Sequence, residues 1–414
     1  MIAEIIAVGS EMLTPFRQDT NSLFLTRQLN ELGVVVSFKT VVGDNFDHLV
    51  GAARAAIGRS DIVIFTGGLG PTEDDLTREC VAAALGVELR RDHDIVTAMY
   101  KRFAERRIQM PSNNAKQADV IEGATVLPNS RGTAPGQYLE TAVDGTERII
   151  ILLPGPPHEL EALWKRECEP RLQVKLPPAA IAMKVLKTAM LPESAADMRT
   201  APIYKKYPNI ETTVLAGQGQ VEFHMCATAP TIEEAQASVD KLAGELEDEL
   251  DDAVFSTGGE SLEEIVGYYL QMRNLRLAVA ESCTGGMVAE RITSVAGSSR
   301  FFLGGAVVYC NELKTLFADV PPLMIEAHGA VSKEVAIALA VNIREICNAD
   351  IGLGITGIAG PAGGTEEKPV GLVFVAASDG TRHEVVQRRF PGDRERIRRW
   401  ASQQALDLVR RMVM

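Results

Sequence analysis

Three glycines, two threonines and two adjacent aspartates fall within the eleven residues Gly67–Thr77. Glycines at 67, 68 and 70 let backbone N–H groups come close to an anion. Pro71 stiffens the turn, and the hydroxyls of Thr72 and Thr77 can donate to phosphate oxygens. Asp74 and Asp75 add hard oxygen donors, and Asp44 follows the preceding strand. Phosphate beside carboxylate is the recipe for a divalent ion bridging a diphosphate. The competing reading is a tight turn with a helix start, since the spacing matches neither a Walker loop nor a dinucleotide fingerprint. The density of the Gly-Gly-x-Gly-Pro-Thr-x-Asp-Asp string favours a site.

A second segment, Glu281-Ser282-Cys283-Thr284-Gly285-Gly286, carries three candidate nucleophiles. All three stand where a helix begins, and there an oxyanion is stabilised by free N–H groups. Choosing among them needs a base. His328 and His383 are the only histidines of this part, and neither adjoins a glycine-rich loop, so a Ser-His-Asp triad is poorly supported. A lysine activates a serine when burial lowers its pKa. Lys314, in Tyr309-Cys310-Asn311-Glu312-Leu313-Lys314, is such a candidate; its alternative is an exposed helix lysine.

Both segments need a strand behind them and a helix ahead. The first part alternates apolar runs with helical periodicity: strands at Glu4–Val8, Val34–Val42, Asp61–Thr66 and Arg148–Leu153, and helices at Asn21–Leu32, Leu49–Ile57, from near Asp75 to Gly86, and from His158. That order predicts a doubly wound sheet, parallel and covered on both faces. Ligands of such sheets bind off the strands' carboxyl ends, where Gly67 falls. A middle segment reads as a small α+β module with an acidic helix, Thr231–Leu250, best taken as a solvated face. The last part is α/β again, with Leu275–Ala280 running into the nucleophile segment, further strands at Gly304–Cys310, Ile351–Thr356 and Gly371–Ala377, and a basic helix over Asp393–Met412. The expected domains are 1–172, 178–256 and 260–414.

The 414 residues carry a net charge of −13, which argues against nucleic acid as a direct partner. Six scattered cysteines without a C-x-x-C predict free thiols in a reducing, cytoplasmic setting. Cys283 and Cys310 are expected to be buried bystanders. No stretch reaches the about 18 apolar residues of a membrane span.

The glycine-rich string of the first part, with Gly9-Ser10-Glu11, Asp19-Thr20-Asn21, Asn129–Gly136 and Leu153-Pro154-Gly155-Pro156-Pro157, resembles the molybdopterin-binding-like domain of the CinA family. Glu281–Gly286, Tyr309–Lys314, Gly329–Ser332, Thr356–Pro361 and Phe390–Arg394 resemble that family's C-terminal domain, and the middle segment its KH-like insert. For the first domain the resemblance implies hydrolysis of ADP-ribose to AMP and ribose 5-phosphate. Asp19, Asp44, Asp74 and Asp75 would hold a divalent metal, with potassium as a further ion. Gly67, Gly68, Gly70, Pro71, Thr72, Thr77, Asn21, Gly155 and Pro156 would hold substrate. For the last domain it implies cofactor-free deamidation of nicotinamide mononucleotide. Ser282 would attack, Lys314 would act as base and Tyr309 would orient. Backbone N–H groups near Thr284, Gly285 and Gly286 would hold the oxyanion. Thr356, Gly357 and Gly360 would line the ribose-phosphate pocket, and Arg394 with Arg398 would pair with the phosphate. A homodimer is also implied. Two other readings stay open: a non-catalytic pterin- or nucleotide-binding module, and a competence or DNA-damage accessory factor.

Overall fold

The structure, a computed structural model, describes residues 1–105, 107–217 and 219–414. The fold is mixed α/β, and the chain divides into two compact units, 1–181 with 228–235, and 182–227 with 236–414.

The first unit is built on a six-stranded sheet in the order Val35–Val42, Ile2–Val8, Ile62–Thr66, Thr146–Leu153, Gly136–Val143, Thr125–Leu127. The first four strands are parallel. The last two are antiparallel, a feature that periodicity did not foretell. Alternate residues of the parallel strands enter separate cores. Ile6, Val63, Phe65 and Ile150 pack with Leu49, Ala53 and Val81. Ile5, Ile62, Ile64 and Ile151 pack with Leu25, Leu29 and Trp164. Burial on both faces explains the unbroken apolar runs. A helix at His93–Glu105 and a hairpin of Leu89–Arg91 with Asp119–Ile121 fill a stretch that carries little periodic signal.

The second unit holds two sheets. The smaller has the order Ile210–Gly217, Gln220–Ala229, Ala180–Ala189, Val254–Ser256. The larger has the order Phe302–Val307, Leu277–Glu281, Ile351–Gly357, Leu372–Ser378, His383–Arg389. Its first three strands are parallel and its last two antiparallel. Helices Leu262–Met272, Met287–Ser294 and Arg394–Val413 cover one face through Val266, Val288, Ile397 and Leu406. Helix Lys333–Ile346 covers the other through Val335 and Leu339. The carboxyl ends of the three parallel strands therefore lie at one end of the sheet, together with the start of Leu372–Ser378 and the end of His383–Arg389. Among the described residues no helix is long and apolar enough to cross a membrane.

Candidate functional sites

In the first unit the strand Ile62–Thr66 ends in a loop whose backbone only glycine can supply. Gly67 has φ +95° and its N–H donates to Leu153 O at 2.9 Å; a Cβ there would lie 2.4 Å from Val8 O. At Gly68 (φ +65°) a Cβ would lie 2.2 Å from Thr77 Oγ1. The loop is held from behind by Arg78, fully buried, which donates to Leu69 O at 2.8 Å and Gly70 O at 3.0 Å. Burial pulls its guanidinium below the ordinary arginine value. In front of the loop is a cleft of about 420 Å³ lined by residues from separate segments: Glu11, Asn21, Asp44, Asp74, Asp75 and Glu159 among them. Gly67, Gly68, Gly70, Gly155 and Pro156 also line it. Asn21 is placed by a bond from Nδ2 to Gly155 O at 2.7 Å.

Several expected ligands are engaged elsewhere. Asp19 does not reach the cleft; its carboxylate caps the helix Thr20–Glu31, accepting from Ser22 N at 2.9 Å. Thr77 is fully buried and donates to Gly67 O at 2.8 Å, so it braces the loop and offers no hydroxyl to a phosphate. Thr72 donates from its hydroxyl to Asp75 and from N–H to the same carboxylate at 2.9 Å. The helix begins at Thr77, two residues later than the sequence suggested, because Thr72–Asp75 forms this local turn. Asp44 accepts from Ser10 N at 2.7 Å. Asp74 is exposed, and the Thr72 side chain with local backbone N–H holds it below the usual carboxylate range. Glu11, Gln117, Thr133 and Glu159 join the cleft from distant positions. Only their tertiary placement identifies them, apart from Glu11 and Thr133, which stand in recognised strings.

The fit to a metal is partial. Asp44, Asp74 and Asp75 offer oxygen donors to one cleft, yet among the described residues no three acidic, histidine or cysteine side chains form a ready ligand set. An ion here would be shared with phosphate oxygens of the substrate, as magnesium commonly is.

In the second unit the strand Leu277–Glu281 ends at Ser282, whose N–H donates to Ile355 O at 3.0 Å. All three candidate nucleophiles are buried, Cys283 at 4% exposed, and they differ in their chemical state and partners. The Cys283 thiol is pushed up to about 12, so it stays protonated at neutral pH. Thr284 is fully buried, and its hydroxyl has no partner among the described residues. Ser282 is 6% exposed.

Glu281, 1% exposed, is the residue that sequence reasoning left without a role. Its carboxylate accepts from Gly286 N at 3.0 Å, Val288 N at 3.1 Å and Ala289 N at 2.9 Å. Gly285 N is also engaged, by Ser282 O at 3.1 Å. The expected oxyanion donors at Gly285 and Gly286 are therefore occupied. The N–H groups of Cys283 and Thr284 donate to no backbone carbonyl among the described residues, and that of Cys283 faces its own thiol.

The neighbouring strand Phe302–Val307 aligns Val307 with Glu281, and Val308 N donates to Glu281 O at 2.8 Å. Lys314 is 2% exposed. Its Nζ donates to Val308 O at 3.1 Å and Tyr309 O at 3.5 Å, which brings the amine to the strand end that carries Ser282. No carboxylate pairs with it among the described residues, and burial lowers its pKa. The exposed-lysine alternative is thereby removed. The Tyr309 hydroxyl accepts from Arg394, and Arg394 Nη1 donates to Gly360 O at 2.8 Å. Arg398 donates to Thr284 O at 3.1 Å from Nε and 2.6 Å from Nη2, so it buttresses the nucleophile loop instead of standing free for a phosphate. Thr356 is fully buried and donates to Ala330 O at 2.7 Å; it ties its strand to the loop Gly329–Ser332, so its hydroxyl is already engaged. Cys310, expected to be buried, is exposed, because the strand ends at Val307 and Cys310 caps the next helix.

Residues 4–174 match the family described as a probable molybdopterin binding domain, and residues 259–413 match the CinA C-terminal domain. A CinA-like protein of Koribacter versatilis is 64% identical over 414 residues, spanning the whole of both chains. One from Acidobacterium capsulatum is 58% identical over the same span. The solved structure of the protein CinA from Thermoplasma acidophilum is 36% identical, with a TM-score of 0.38, and covers 41% of this chain and 97% of its own.

Proposed function

The chain belongs to the CinA family, and from that premise we propose that it is a bifunctional hydrolase of pyridine-nucleotide breakdown products. The second unit would convert nicotinamide mononucleotide to nicotinate mononucleotide and ammonia. The first would cleave the diphosphate of ADP-ribose to AMP and ribose 5-phosphate.

The observation that carries the amidase reading is Lys314: a buried amine with only carbonyl partners, at the strand end that leads into Ser282. Burial raises the share of neutral amine and so makes it a competent base. In the proposed sequence Ser282 Oγ bonds to the carboxamide carbon while its proton passes to Lys314 Nζ. The carbonyl electrons move to oxygen, held by the N–H groups of Cys283 and Thr284. Collapse breaks the C–N bond, and Lys314 gives its proton to the departing ammonia. Water, deprotonated by the same amine, then attacks the acyl-serine ester and releases the acid and the free hydroxyl. Arg394, exposed and bonded to Gly360 O and the Tyr309 hydroxyl, would exchange those contacts for the 5′-phosphate.

For the first unit, the glycine-lined cleft supports a diphosphate. Asp44, Asp74 and Asp75 are the side chains that would hold a divalent ion there, which supplies charge neutralisation to the phosphates.

The test measures ammonia from nicotinamide mononucleotide and AMP from ADP-ribose side by side, with magnesium, manganese and potassium varied. Ser282→Ala should remove ammonia release and leave AMP release unchanged. Lys314→Ala should lower ammonia release by about 10²–10⁴-fold. Ammonia release that survives Ser282→Ala sinks the nucleophile assignment. AMP release indifferent to metal, or absent, returns the first unit to a binding module.

A further inference from the structure

The strand His383–Arg389, at the sheet edge three strands from Leu277–Glu281, ends on the side of the sheet that carries Ser282, with two arginines that pair with no carboxylate among the described residues. Arg388 and Arg389 are exposed, and neither has an ion-pair or hydrogen-bond partner among the described residues. The register places them. Arg389 lies opposite Leu372 and Arg388 opposite Val373, so they leave the sheet on opposite faces at the end that carries Ser282. Leu372 O accepts from Ile358 N at 2.9 Å, Gly371 N donates to Ile358 O at 2.8 Å, and Phe390 N donates to Gly371 O at 2.9 Å. The arginine pair is thus bonded through one strand to the loop Gly357–Gly360, and the chain continues directly to Arg394.

The acidic groups next to this pair in the chain are engaged. Asp393 caps the helix, accepting from Arg396 N at 2.9 Å, and Glu395 pairs with Arg399 at 3.1 Å. Glu366 and Glu367, on the exposed loop after Pro361, are the opposing charges. Elsewhere the chain is strongly acidic, with a net charge of −13. A local positive field on such a molecule selects where an anion approaches, and fields of this kind raise association rates by about 10–10³-fold.

Resting on the amidase reading, we infer that Arg388 and Arg389 form a capture surface for the phosphate of a mononucleotide. They act at a distance, on delivery to Arg394, and touch no reacting atom. They discriminate mononucleotides from nucleosides that lack the phosphate.

The test uses the full chain with Arg388→Gln/Arg389→Gln together. The control is Arg273→Gln, which removes an exposed charge just before the strand Leu277–Glu281, at the opposite end of the same sheet. Ammonia release is measured at about 30 mM and about 0.5 M salt, where screening lengths differ several-fold. The double variant should lose about tenfold in kcat/KM at low salt, keep kcat, and converge on the wild type at high salt. Nicotinamide riboside, a pyridinium cation without the phosphate, should lose nothing in the double variant at either salt. Arg273→Gln should follow the wild type throughout. A double variant with the wild-type salt dependence, or a loss that persists at high salt or with the riboside, overturns the inference. Calorimetric binding of nicotinamide mononucleotide at both salts gives a readout that needs no turnover. Salt-steepened binding without ammonia release keeps the capture surface and sinks the amidase reading.

Discussion

At the scale of single residues, the proposed amidase site contains two buried ionisable groups that work in opposite senses. Glu281 occupies N–H groups that open the helix Met287–Ser294, which in the proposed mechanism leaves the oxyanion to the preceding pair, at Cys283 and Thr284. It is a positioning residue. Replacing it with Gln substitutes an amide for a carboxylate bonded to three donors, which should shift the loop without emptying it. Glu281→Gln is expected to lower kcat for ammonia release by about 10–100-fold with little change in KM, and Glu281→Asp to recover part of the loss. A proportionate rise in KM would make it a binding residue instead. Lys314 is a buried amine with a lowered pKa. In the proposed mechanism its neutral form is the base, so kcat/KM should rise with pH through that lowered pKa and then level off. Between the folded pKa and the ordinary lysine value the unfolded chain binds a proton that the folded chain lacks, so stability also rises with pH there. Lys314→Arg, charged at every accessible pH, should abolish the rising limb together with the activity. A limb that survives in the residual activity belongs to another group.

At the scale of elements, the loop after Ile62–Thr66 is a shape enforced by what surrounds it. Gly68→Ala would place a methyl group against Thr77 Oγ1 at a left-handed φ. It should cost about 1–3 kcal/mol and remove AMP release while ammonia release continues. Denaturant titration and the paired assay check both. Arg78→Met would leave Leu69 O and Gly70 O without their donor and should have a similar selective effect. A variant whose AMP release stays intact would show that the loop's shape does not matter to catalysis. Both loops were legible in the sequence because each apolar run stops where a glycine-rich polar string begins. Neither Arg78 nor Glu281 was legible as a brace, since their partners are backbone groups whose availability depends on the completed turn. Residues 93–143 read poorly for a related reason: their strands are short or half-exposed, and the hairpin Leu89–Arg91 with Asp119–Ile121 pairs segments about 30 residues apart. Cys310 is expected to be buried because free cysteines usually are; the strand instead stops at Val307, and Cys310 stands exposed at the N-cap of the helix Asn311–Ala318.

At the scale of the whole molecule, the two candidate sites lie in two units, each with its own cores. The clusters around Ile6 and Ile5 draw only on residues of the first unit. Those around Val266 and Val335 draw only on the second. Separate cores predict separate cooperative transitions, because a unit melts when its own apolar packing is lost. A ligand that binds one folded unit stabilises that unit by RT ln(1 + [L]/Kd), about 2.7 kcal/mol at a hundredfold excess over Kd. Scanning calorimetry of the full chain should therefore resolve two transitions. AMP or ADP-ribose should raise one of them, and nicotinate mononucleotide the other. Ser282→Ala, which removes only a hydroxyl at the second site, should leave both baseline transitions in place and keep the nicotinate mononucleotide shift. A single transition moved by either ligand would mean that the units unfold as one. Occupancy of one site would then stabilise the other, and the two activities would be coupled through the fold.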